Sequence, residues 1–89
     1  MNEQANEQDK EAKLKEFFER ARKGVLKRLD EKGGSLPMGE MHEYSLNTYF
    51  IQHQRFSQMM ETFVGEELID YDGATQISTI TEKGKEFIQ

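Results

Sequence analysis

At 89 residues with one proline and no cysteine, the chain has room for one small hydrophobic core and for no disulfide, thiolate metal site or cysteine nucleophile. Its 17 carboxylates outnumber 12 lysines and arginines, for a net charge of −5, so a polyanion such as DNA can be held only through a local basic patch. No apolar run is long enough to span a membrane, and Met1 to Lys10 lacks the basic start and apolar centre of a signal peptide, so a cytoplasmic protein is expected.

Met1 to Gln8 is polar, with only Met1 and Ala5 apolar, and is expected to be a flexible tail (residues 1–8) ahead of a domain over residues 9–89. Asp9 is predicted to cap a long first helix whose broad apolar face carries Leu14, Phe17, Phe18, Ala21, Val25, Leu26 and Leu29. Glu11 with Lys15, Glu16 with Arg20, and Glu19 with Lys23 are spaced for favourable pairs on the other face. Gly24 inside this helix costs roughly 1 kcal/mol relative to alanine, so it either admits a close neighbour or marks a weak point. Gly33-Gly34 ends the helix.

Ser35-Leu36-Pro37 begins a second helix or forms a short strand leading into it, and Met38, Met41 and Tyr44 would be the helix's buried face. That helix is expected to end near Ser45 to Asn47. Leu46 to Gln52 then holds Leu46, Tyr49, Phe50 and Ile51 without a clean period, which predicts a connection longer than the tight turn of a minimal helix-turn-helix. From His53 the helical period returns, with Phe56, Met59, Met60, Phe63 and Val64 on one face. The opposite face shows Gln54, Gln58, Glu61 and Gly65, flanked by Arg55 and Thr62. Leu68 to Tyr71 is β-prone, Asp72-Gly73 is the dipeptide that best supplies the positive φ of a tight hairpin, and Thr75 to Ile80 returns the chain. Thr81 is placed to cap a last helix, Glu82 to Ile88, with acidic Glu82 in its first turn.

Phe63-Val64-Gly65-Glu66-Glu67-Leu68-Ile69, a hairpin, and then Thr81-Glu82-Lys83-Gly84 resemble the winged-helix family of small prokaryotic transcription regulators, nearest to the multiple-antibiotic-resistance and phenolic-acid types. In that family a recognition helix runs into a strand reading roughly Gly-Leu-Ile, and the strand returning from the wing ends in Leu-Thr-x-x-Gly. Here Glu67 stands at the glycine and Ile80 at the leucine. The resemblance implies an α+β, mostly α fold, a winged helix-turn-helix with a three-helix core, a two- or three-stranded β-hairpin wing and a short C-terminal helix. It also implies that the 53–65 helix enters the major groove of double-stranded DNA.

For that role Gln54, Arg55, Ser57, Gln58 and Thr62 are chemically suited, glutamine to adenine edges, arginine to guanine or phosphate, hydroxyls to either. The plain alternative is the solvated face that every surface helix has. Glu61 opposes phosphate, and the wing Tyr71-Asp72-Gly73-Ala74-Thr75-Gln76 has no cation, leaving Thr75, Gln76 and backbone amides to donate. Basic residues gather instead at Arg20, Arg22, Lys23, Lys27 and Arg28, where they either reach phosphate or balance nearby acids. His42 and His53 lie 11 apart, without zinc-pair helical spacing, and no metal or cofactor is expected. No nucleophile elbow, phosphate loop or glycine-rich cofactor turn occurs, so the chain reads as a non-enzyme. Five methionines with Phe17, Phe18, Tyr49 and Phe50 exceed what one small core hides, which favours a homodimer through the first helix. Two functions follow. The first is a DNA-binding transcriptional regulator; the second is a winged-helix adaptor whose acidic wing and last helix bind a protein and no nucleic acid.

Overall fold

The first helix ends where its glycines dictate. The computed structural model describes residues 3–89, with side chains from Asp9 onward. Helix α1 runs Glu3–Glu31 and is closed by a paired motif in which Gly34 N–H donates to Leu29 O at 2.9 Å and Gly33 N–H to Asp30 O at 3.1 Å. Gly33 and Gly34 sit at φ 96° and 91°, conformations that a side chain would strain. At its other end α1 extends past the Asp9 cap predicted for it, and Glu3 to Gln8 of the expected tail continue its backbone; Met1 and Asn2 lie outside the described residues. Ala21, Val25, Leu26 and Leu29 enter the core, Phe18 packs at its margin, and Leu14 and Phe17 stay exposed. Gly24 admits a neighbour: a Cβ there would overlap the ring tip of Tyr49.

Strand β1 (Ser35–Pro37) leads into helix α2 (Met38–Tyr49), and helix α3 (His53–Gly65) follows after only Phe50, Ile51 and Gln52. This connection is tighter than the sequence suggested. Phe50 takes the left-handed conformation, φ 56°, and its N–H donates to Leu46 O, so the chain reverses without glycine or asparagine to mark it. Ile51 then drops into the core. Helix α3 buries Phe56, Met59, Met60 and Phe63 as its period requires, whereas Val64, expected among them, is 48 % exposed.

Helix α3 is stopped by the same paired motif as α1, Leu68 N–H donating to Phe63 O and Glu67 N–H to Val64 O, with Glu67 at φ 62°. Glu67 is the position where the resemblance expects glycine, and the backbone shows why. Its carboxylate gains only an exposed, 4.0 Å approach to Lys83 in return. Glu67→Gly is therefore expected to raise the unfolding free energy by roughly 1 kcal/mol, read by urea denaturation.

Strands β2 (Ile69–Asp72) and β3 (Ile77–Ile80) form the hairpin, and β1 pairs with the other edge of β3, giving the antiparallel order β1-β3-β2. Asp72 pairs with Ile77, so the loop is four residues long rather than a two-residue Asp-Gly turn. Asp72 acts through its side chain, Oδ1 accepting from Ala74 N–H at 2.9 Å, and Gln76 at φ 60° supplies the left-handed residue in place of Gly73. Gln76 O also accepts the first amide of α2, from Met38, at 2.8 Å.

Helix α4 (Glu82–Ile88) is capped as its sequence indicates, Thr81 Oγ1 accepting from Gly84 N–H at 2.9 Å while donating to Glu67 O. It covers Arg22, which is almost wholly buried with its guanidinium 5.1 Å from the Phe87 ring centroid and 5.6 Å from that of Phe63. Nη1 donates to Glu19 at 2.6 Å and Nη2 lies 2.8 Å from Glu66 as an ion pair. Desolvation opposes the charge, but the contacts to Glu66 and Glu19 outweigh it and hold the pKa above the ordinary arginine value. Glu19 thus pairs with Arg22 rather than with Lys23, and Arg22 leaves the basic cluster as a structural cation. Among the described residues, four helices and the three-stranded sheet make an α+β, mostly helical domain, and no helix is long and apolar enough to cross a membrane.

Candidate interaction face

The short α2–α3 turn lays the first turns of α2 against α3, and β2 closes the far side. Between them lies a groove of about 570 Å³, walled by Met38 and His42 from α2, His53, Phe56, Met60 and Val64 from α3, and Tyr71 from β2. Its size suits a bulky side chain or a small ligand, and its walls are apolar with a few polar groups at the edges. Ser57 and Glu61 border it.

Helix α3 distributes the residues singled out from sequence around this groove. Gln54, Arg55 and Gln58 are exposed on its outer face, Ser57 lies on the groove side, and Thr62 is half-buried with its hydroxyl committed to Met59 O at 2.7 Å. Thr75 and Gln76 are exposed in the hairpin loop, where Thr75 Oγ1 accepts weakly from Ile77 N–H at 3.3 Å. No wall of the groove includes Thr75 or Gln76, so the seven residues do not converge on one pocket.

Charge over the elements that frame the groove is one-sided in sequence. From Met38 to Ile80 the only lysine or arginine is Arg55, against Glu40, Glu43, Glu61, Glu66, Glu67, Asp70 and Asp72. Glu66 and Glu67 have a cation within 4.0 Å, namely Arg22 and Lys83. The other five carboxylates have none within that distance among the described residues; Glu61 borders the groove, while Glu40 and Glu43 line a separate hollow with Arg28 and Lys32.

His42 and His53, distant in sequence, meet here with ring centroids 5.4 Å apart and edge to face. His42 also lies 4.9 Å from Phe56, and its Nε2 is buried without a hydrogen-bond partner among the described residues. Two imidazoles are half of a tetrahedral zinc set, and among the described residues no group of three or more candidate ligands converges. The groove walls escaped sequence reading because Met38, His42, Val64 and Tyr71 come from three elements. Val64 alone left a trace, as the last residue of an apolar stripe wider than the core needs. No protein-family model, curated protein or solved structure matches this chain.

Proposed function

We propose that the chain is a winged-helix interaction module, a binding protein rather than an enzyme, whose α2–α3–hairpin face takes a basic segment of a partner protein and seats a bulky apolar side chain in the groove. The winged-helix reading is supported by the order of helices and strands, by the three-residue turn before α3, which stands in the place of a recognition helix, and by the β2–β3 hairpin in the place of a wing. One observation carries the choice of partner: an apolar groove that has Glu61 and no lysine or arginine in its lining, on elements that hold Arg55 against seven carboxylates in sequence. Phosphate contacts supply most non-specific DNA affinity, and this face offers almost nothing to make them. A carboxylate beside apolar walls suits a lysine or arginine flanking a leucine, phenylalanine or methionine, and methionine in the walls adapts to such an anchor.

The second reading is a DNA-binding regulator with α3 in the major groove. The exposed Gln54, Arg55 and Gln58 favour it, with Ser57, Thr62, Thr75 and Gln76 as supporting contacts. One substitution moves the two readings in opposite directions. Val64→Lys adds a cation to the groove without entering the core. By fluorescence anisotropy against a Lys/Leu amphipathic peptide of about 12 residues, it is expected to weaken binding about tenfold or more, while binding to a random duplex stays negligible. Unchanged peptide binding together with tighter binding to the duplex would establish the DNA reading instead.

A further inference from the structure

We infer that the groove takes an α-helix of the partner, about three turns long, whose backbone lies close against Gly39 and Gly65; this rests on the partner-protein reading above and specifies the shape of what binds. Groove walls recur at each turn of α3, through His53, Phe56, Met60 and Val64, so the site runs the length of that 13-residue helix, about 18 Å. Helix α2 adds Met38, Gly39 and His42. A channel lined by two helices suits a third, which lays side chains at i, i+4 and i+7 into it. An extended segment would instead need a row of backbone partners, and of strand β2 only Tyr71 lines the groove.

Gly39 and Gly65 are the independent observation. The other five of the seven glycines are accounted for within the chain, by a close neighbour at Gly24 and Gly84, a positive φ at Gly33 and Gly34, and the hairpin loop at Gly73. Gly39 and Gly65 lie in helices without positive φ, and a Cβ at either would meet nothing within 4 Å among the described residues. Glycine is the poorest helix former after proline, so neither position gains anything from it inside the chain. Both line the groove. Bare backbone there lets an occupant's backbone come close, toward the near end of the roughly 8–10 Å spacing of packed helix axes.

Charge sets the rest of the helix's chemistry. Glu61 borders the groove with no cation within 4.0 Å among the described residues, and no lysine or arginine lines it. The partner helix therefore carries a lysine or arginine beside its apolar stripe, facing Glu61. Its stripe covers Val64 and Tyr71, which are 48 % and 37 % exposed in the free chain.

Fluorescence anisotropy with three forms of the Lys/Leu peptide tests the helix: the parent, one locked helical by a side-chain bridge on its outward face, and one carrying proline at a central outward position. The locked form is expected to bind about tenfold tighter than the parent and the proline form about tenfold weaker or worse. Gly39→Ala and Gly65→Ala are each expected to weaken the locked peptide about fivefold or more, while the thermal midpoint of the free chain holds or rises. A purely structural glycine would move both readings down together. A proline peptide that binds as well as the parent overturns the helix, and alanine variants that bind like wild type, or that lose thermal stability, overturn the role given to the two glycines. If none of the three peptides binds the wild-type chain, the partner-protein reading itself fails, and the inference with it.

Discussion

Phe63→Ala is expected to lower the unfolding free energy by about 3–5 kcal/mol, the usual loss when a fully buried aromatic ring is truncated. Phe63 is wholly inaccessible within the core cluster. Its ring is also one of the two aromatic surfaces against the Arg22 guanidinium. Truncation opens a cavity and removes part of the apolar shell around a nearly buried cation, and both act in the same direction. A domain of this length holds roughly 5–13 kcal/mol in total, so the variant should lose about 15–30 °C in Tm. Chemical denaturation followed by far-ultraviolet circular dichroism reads the loss directly. A change below about 1 kcal/mol would mean that Phe63 is not packed in the core as described.

Gly84→Ala is expected to cost about 2–3 kcal/mol, although alanine is the better helix former by about 1 kcal/mol. A Cβ at Gly84 would overlap the carbonyl of Leu68, and that carbonyl already accepts Thr81 N–H at 3.1 Å. Backbone cannot rotate away as a side chain can. The seven residues of α4 must lift, which draws Phe87 from Arg22 and lengthens the Thr81 cap. Thr81-x-x-Gly84 thereby has a physical basis: threonine satisfies one of the helix's free amides, that of Gly84, and glycine lets that turn lie against the chain entering the hairpin. An unchanged Tm for Gly84→Ala would contradict this packing. Glu67→Gly supplies the opposite sign at a neighbouring turn, since there glycine removes strain and alanine-like bulk is not the issue.

The contrast between these glycines and the α2–α3 turn shows what the sequence makes legible. The stop of α1, the hairpin's existence and the capped last helix are written locally, in Gly33-Gly34, in β-branched Thr75 to Ile80, and in Thr81 with Glu82. The α2–α3 turn is not written that way, because Phe50 occupies a conformation normally marked by glycine or asparagine, and Leu46, Tyr49 and Ile51 blur the period across it. The same substitution of role misplaced the hairpin turn: Asp72-Gly73 advertises a two-residue loop, while Gln76 takes the left-handed position and Asp72 serves as a side-chain cap. Helical spacing cannot separate a core residue from a groove wall, so Val64 was grouped with Phe63. It also cannot show that Arg22 is drawn inward by Glu19, Glu66 and two aromatic rings, and so belongs to the core rather than to a phosphate-binding patch.

The groove, with Glu61 and no lysine or arginine in its lining, makes one experiment more direct than any other. The isotope-labelled chain is titrated with a random-sequence duplex at low salt, where electrostatic binding is strongest, and separately with the basic amphipathic peptide. Protein recognition through the groove requires that the peptide shift the amides of Met60, Val64 and Tyr71 while the duplex leaves the spectrum unmoved. Duplex-induced shifts at Gln54 to Thr62 and at Thr75 and Gln76, fading steeply as salt rises, would contradict it and make α3 a DNA-reading helix.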